Sequence, residues 1–441
     1  MITVSIIIFV LVCLCILSVL NWRTGLIIIF IFMCVDGGIR RVIYDHLAIY
    51  LIKDFLLIFT YAGFLIEAKK LKKVILFRNS LNIVFLALCF LSLIQFFNPG
   101  LPNIIVGLVG LKLLLYYIPL FYLGYHFFDS KDKLISFIKL SLLIAIPIAL
   151  IGVIQFIIGP AASLSISENF TPWITARTTG EIVYKPESTF AVPGIFGWYL
   201  YLMMLLAIAN LNFKTKQQKL FGFLAFIFVS LGMIVNSSKG NVFLFFLIII
   251  CMLFLFNKLK MVIRLSVLVF LVFLVNLFLA PEASKNILDS ASIIFLHQPP
   301  WTRAMLIIKY GLSFFAPFGS GRFSLLGNGV GISSLGTRYV VSQSEYLNFE
   351  SFFMNILVQL GIFGVIIYFL IFGLLMVIGY KIYIKLKDDE LKWISFVVLM
   401  FILGVFGYGF LSNILDHAII SIYFYFFSGI MFKLPGLDKV R

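Results

Sequence analysis

What most constrains this chain is the recurrence, along most of its length, of apolar runs long enough to cross a bilayer. A hydrocarbon core about 30 Å thick takes about 20 helical residues to span. Inside it, every backbone N–H and C=O must be satisfied within a helix or around a closed barrel. The runs here are continuous and do not alternate polar with apolar residues, so they predict helices and not barrel strands. Composition agrees: 62% of the 441 residues are apolar and 12% are charged, against about 45–50% and about 25% in soluble domains. The chain shows no soluble domain, no low-complexity tract and no convincing internal repeat. The five cysteines, Cys13, Cys15, Cys34, Cys89 and Cys251, all fall inside apolar runs. That excludes a disulfide framework or a zinc spacing carried on loops. The N-terminus lacks a basic region and a small-residue cleavage site, so residues 3–20 read as a retained span.

The expected spans are 3–20, 25–38, 47–66, 74–97, 104–128, 133–159, 191–211, 219–235, 240–256, 261–280, 352–380, 391–411 and 414–433. The second is short enough to be re-entrant, so the expectation is an all-α polytopic membrane protein of 12–14 transmembrane helices. It divides into N-terminal helices (1–280, with an external loop at 160–190), one long and partly helical external loop (281–351) and C-terminal helices (352–441). The lysine-rich connections "EAKKLKK", "DSKDK", "NFKTKQQK", "NKLK", "KIYIKLKDDELK" and the tail "KLPGLDKVR" fall on one side, which is cytoplasmic by the positive-inside rule. The N-terminus then lies outside.

This topology sorts the basic residues by type. Eighteen of the 24 lysines are cytoplasmic, whereas six of the ten arginines are external: Arg40, Arg41, Arg177, Arg303, Arg322 and Arg338. Arginine offers a planar fork that grips phosphate or carboxylate at two points, so this sorting points to an anionic ligand on the outer face. The competing reading pairs some of them with Glu168, Glu181, Glu187, Glu282, Asp289 or Glu345. The formal net charge of +16 is spread over many short loops, which argues against a nucleic-acid partner. No external loop gathers metal ligands, and the cytoplasmic "KDDE" reads as a solvated turn.

Ionisable groups inside a span are costly and usually line a cavity. Lys53 and Asp54 interrupt "LAIYLIKDFLLIFTY", and Lys112 interrupts "IIVGLVGLKLLLYY" at a similar depth from the same face. Gln95, Gln155, Asn276, Asn355, Gln359, Asp416 and His417 also fall in outer halves or at outer ends. Such one-sided polarity implies a cavity open outward and closed toward the cytoplasm. An interhelical ion pair involving Lys53 and Asp54, and snorkelling of Lys112 to the headgroups, are the structural alternatives.

Several segments taken together resemble the bacterial O-antigen polymerase and O-antigen ligase superfamily. They are "DGGIRRVIYDHLAIYLIKDFLL", "GLKLLLYYIPLFYLGY", "PESTFAVPGIFGWYL", "NSSKGNVFLFFLIII" (with Lys239 where the family has arginine), and "GNGVG" followed by "FESFFMNILVQLGIFGVIIYF". The resemblance runs in order over most of the chain. It implies a glycosyltransferase of the bacterial inner membrane, acting at the periplasmic face on oligosaccharides carried by undecaprenyl diphosphate. It implies no cofactor and no nucleotide sugar; the partners are the lipid-linked oligosaccharide, membrane lipid and a chain-length regulator protein. The ligase branch shows a histidine near the end of the large loop, where this chain has Glu350-Ser351, so the resemblance favours a polymerase over a ligase. A flippase or other carrier of lipid-linked glycans is the competing class.

Transfer from a lipid diphosphate needs cationic stabilisation of the leaving group. The candidates are Arg177, Arg303, Arg322, Arg338, Lys112, the Arg40/Arg41 pair and Lys53. The attacking sugar hydroxyl needs a base, for which Glu350 is the candidate. Its structural alternative is a first-turn carboxylate of the following helix, favoured by the helix dipole after a cap at Asn348. Trp173, Trp301, Tyr339 and Tyr346 serve equally as sugar-stacking or interfacial aromatics.

Overall fold

The computed structural model describes residues 2–42, 47–72, 74–162, 174–176, 182–236, 263, 267, 326–337, 349 and 351–439. The chain is an all-α, multi-pass membrane protein. Seven helical segments are long and apolar enough to cross a membrane, among the described residues: Ile104–Phe127, Lys131–Ile158, Pro193–Leu211, Lys216–Asn236, Phe352–Lys385, Asp389–Gly409 and Ala418–Lys439. The helices are α1 (Ile2–Leu20), α2 (Trp22–Val42), α3 (Leu47–Lys70), α4 (Leu81–Phe96), α5 (Ile104–Leu115), α6 (Pro119–Phe127), α7 (Lys131–Ile158), α8 (Pro193–Leu211), α9 (Lys216–Asn236), α10 (Phe352–Lys385), α11 (Asp389–Gly409) and α12 (Ala418–Lys439). One antiparallel hairpin joins β1 (Ile174–Ala176) to β2 (Ile182–Tyr184), with Thr175 opposite Val183. The spans expected at 240–256 and 261–280, and most of the 281–351 loop, lie outside the described residues.

Three local features differ from the expected spans. The segment expected at 25–38 belongs to a continuous helix of 21 residues, α2, about 30 Å long at about 1.5 Å per residue. The segment expected at 74–97 forms helix only from Leu81, after the cap residue Ser80; just before it the Asn79 carboxamide accepts from Asn82 N (3.2 Å). The run at 104–128 is two helices. Pro119 has no N–H to give the Leu115 carbonyl, and Ile118 N bonds that oxygen at 3.1 Å in a tighter turn.

Two compact units divide the chain: residues 1–77 with 132–290, and residues 78–131 with 291–441. In the first, α8 is buried on all sides from Phe196 to Asn210, as suits a helix apolar all round. The α1–α3 group closes at one end where Glu67 accepts from Trp22 Nε1 (2.9 Å) and pairs with Arg23 (3.5 Å). In the second unit, α6 and α12 approach with backbones nearly touching. A Cβ on Gly124 would sit 2.1 Å from Phe426 O, and one on Gly429 would sit 2.0 Å from Phe121 O. Small residues permit this contact, which membrane helices use in place of hydrophobic drive. Phe121 then meets Phe432 and Phe127 meets Phe426 edge-on.

The "KDDE" segment is not a solvated turn. Asp388 and Glu390 are buried, and Lys131 pairs with both, at 2.6 Å to Asp388. Asp388 also caps α11 by accepting from Glu390 N and Leu391 N, while Asp438 accepts from Lys387 N and Asp388 N. These charges gather because orphan helix-end donors and one lysine need acceptors together.

Candidate functional site

In the second unit, loop 326–337 folds onto one end of the bundle as a clasp, and α10 is built to receive it. Helix α10 breaks at Gly361, whose φ of 69° and ψ of −166° are non-helical. The break withdraws the amides that would bond the Val358 and Gln359 carbonyls. Asn328 N (2.8 Å) and Gly329 N (3.3 Å) replace them. The Gln359 side chain accepts from Gly331 N (2.7 Å). From α4 and the turn after it, Gln95 O accepts from Val330 N (3.3 Å), the Gln95 carboxamide donates to Leu326 O, and Asn98 donates to Gly327 O (3.2 Å). From α5, Gly110 and Val106 press on Gly331 so closely that a Cβ there would lie 2.1 Å from Val106 O. The residue also holds φ +89°, a region L side chains rarely adopt.

The clasp is tied at its far end too. Ser333 donates to Asn355 O (3.3 Å), Thr337 donates to Gly331 O, and Asp416 accepts from Leu335 N (3.1 Å) and from Asn413 Nδ2 (2.5 Å). Asp416 sits in the turn between α11 and α12. Burial raises its carboxyl to about 6, against the lowering effect of the Leu335 and Asn413 hydrogen bonds. Gln95, Asn355, Gln359 and Asp416, which the sequence placed around an outward-open cavity, are all buried. Gln95, Gln359 and Asp416 hold a peptide loop instead of facing water.

Gly331→Ala should therefore loosen the clasp. Backbone overlap and positive φ together predict a loss of at least about 1–3 kcal/mol, read as a lower unfolding temperature of the purified protein. Gly373→Ala, where a Cβ meets nothing within 4 Å, should leave it unchanged. Equal behaviour of the two variants would mean the clasp does not form.

Position 350 stands between two anchored residues. Phe349 O accepts from Asn355 Nδ2 (3.0 Å), and Ser351 caps α10, its hydroxyl accepting from Met354 N (3.5 Å) and donating to Gly409 O (3.1 Å). Glu350 itself lies outside the described residues, as do Arg177, Arg303, Arg322 and Arg338. The helix cap is Ser351 and not Asn348, and the first turn, Phe352–Met354, holds no acidic residue. The reading of Glu350 as a first-turn carboxylate is thereby corrected.

The first unit holds Arg40, Arg41 and Lys53. Arg41 pairs with Glu187, both side chains fully buried, and its Nη2 donates to Ala191 O (2.8 Å). Tyr184 OH donates to the other Glu187 oxygen (3.2 Å). Arg40 is buried and pairs with Asp36 (3.4 Å). The arginine–carboxylate alternative thus accounts for the Arg41–Glu187 contact. The same segment carries Ser188, held at φ 54° by a two-point clamp from Gln155: Ser188 N donates to its Oε1 (2.7 Å) and its Nε2 donates to Ser188 O (3.1 Å). Thr189 O accepts from Gly38 N (2.7 Å), and Asn236 donates to Pro186 O and Pro193 O. Lys53 and Asp54 are buried in α3, and Lys112 of α5 is half-buried. Among the described residues no three histidines, cysteines or carboxylates gather as metal ligands.

A scan against protein-family models gives no match, and a search of the curated proteins gives none.

Proposed function

We propose that this protein is a surface-polysaccharide polymerase of the O-antigen type, in the inner membrane with its site facing the periplasm. It transfers a growing glycan from undecaprenyl diphosphate to a hydroxyl of the next lipid-linked repeat unit, without a divalent metal or cofactor, with a chain-length regulator as partner. The observation that carries this reading is the clasp. The segments "GNGVG" and "FFMNILVQLG", two of those that carry the resemblance, are bonded to each other directly. The 326–337 segment is thereby fixed to the helix whose cap, Ser351, follows Glu350 in sequence, and a base beside a rigid support is what such chemistry requires. The acceptor hydroxyl gives its proton to Glu350 as it attacks the anomeric carbon. The carbon–oxygen bond to the diphosphate breaks, and external arginines neutralise the departing charge.

The carrier reading keeps one specific support. Helix α10 is broken at Gly361, and discontinuous helices are common at transporter sites. The surface glycan of a strain lacking this chain separates the readings. Single-repeat caps are expected. Full-length chains stranded on the lipid carrier would instead mean a ligase, and lipid-linked units retained in the cytoplasmic leaflet a flippase.

A further inference from the structure

The turn Asn413–Asp416 is short of positive charge. Asp416 is 8% exposed and Asn413 is 5% exposed. The carboxylate receives two hydrogen bonds, both at Oδ2, from Leu335 N and Asn413 Nδ2. Among the described residues no lysine, arginine or histidine pairs with it. The Asn413 amide bonds this carboxylate through its nitrogen, and its own oxygen, buried, has no hydrogen-bond partner among the described residues. Asn355 adds a second orphan. Its side chain is fully buried, its Oδ1 is likewise without a partner, and it belongs to the same clasp through Ser333. Buried acceptors left without donors are destabilising, and an unpaired buried carboxylate is more so.

We propose that this turn binds a monovalent cation of the sodium class. Asp416 supplies the charge and the Asn413 carboxamide oxygen a neutral ligand. One carboxylate with a carboxamide oxygen matches a single positive charge; a divalent ion would call for more carboxylates. Because Leu335 of the clasp is bonded to the same carboxylate, the ion fixes the end of the loop to the turn between α11 and α12. The inference does not depend on the polymerase reading.

Thermal unfolding of the purified full-length protein tests it at pH 7.5, with sodium chloride replacing choline chloride at constant ionic strength. The unfolding temperature should rise with the logarithm of sodium concentration above a midpoint, as mass action requires of a ligand that binds only the folded state. Asp416→Asn should abolish the rise. Asn413→Ala retains the carboxylate and should move the midpoint at least tenfold higher, which keeps the test open if Asp416→Asn fails to fold. Identical curves in sodium and choline would overturn the proposal. So would an equal sodium response in wild type and Asn413→Ala. Stabilisation obtained only by lowering the pH through 6 would also overturn it, because a proton and not an ion would then neutralise Asp416.

Discussion

Replacing Glu350 by glutamine should abolish glycan extension while leaving the protein folded in the membrane. Loss of a positioned general base costs about 10²–10⁴ in rate, enough to reduce a polymer to single-repeat caps in a surface-glycan assay. Glutamine keeps the size and polarity of the side chain, so stability should change by no more than about 0.5 kcal/mol. The structural alternative made a different forecast, in which Glu350 favours the helix N-terminus by about 0.3–1 kcal/mol and glutamine lowers stability with little effect on rate. That alternative required Glu350 within the first turn. Ser351 caps the helix instead, and Phe352, Phe353 and Met354 fill the turn. Normal polymer length in the Glu350→Gln strain, at normal protein level, would rule out the base role.

The spans were legible in the sequence because a lipid solvent leaves the backbone few choices. Expected and observed limits agree closely for 3–20, 191–211, 219–235 and 391–411, found as α1, α8, α9 and α11. The break at Pro119 follows from a missing N–H, and a closer reading of "YYIPLF" would have placed it. The break at Gly361 has a fainter sign, since "QLGIFG" also suits an unbroken membrane helix, where glycine is common. The site was only half legible. Gln95, Asn355 and Gln359 stand out as polar residues within apolar runs, and the expense of such residues marks them as special. Their spacing does not say whether water or a peptide satisfies them, because Gln95 and Leu326 are 231 residues apart. Pairing was hidden for the same reason. Six carboxylates were available to the external arginines, and nothing local selects Glu187 for Arg41 across 146 residues. In "KDDE" the signal was misleading. Charge runs are solvated by default, and the run became buried only because Lys131, an orphan helix end and Asp438 converge on it.

The Arg41–Glu187 pair should respond to single and double substitution in opposite ways. Both side chains are 0% exposed, so Glu187→Ala takes the paired carboxylate from a buried guanidinium and should cost about 3–5 kcal/mol. Against a total of about 5–15 kcal/mol, that predicts poor recovery from the membrane and a sharply lower unfolding temperature in detergent. The double variant Arg41→Met with Glu187→Leu removes both charges at similar volume. It should unfold close to wild type, since an apolar pair offsets the lost Coulomb attraction by avoiding the desolvation of two ions. Tyr184 and Ala191 each lose one partner in that variant, which sets a residual cost of about 1–2 kcal/mol. A single Glu187→Ala variant as stable as wild type would show that the pair does not hold the 186–194 segment in place. The double variant also decides the role of Arg41. If it restores stability and chain extension together, the guanidinium serves the fold and does not meet the diphosphate. If stability returns and extension does not, Arg41 also meets the diphosphate, and the buried pair must open for it to do so.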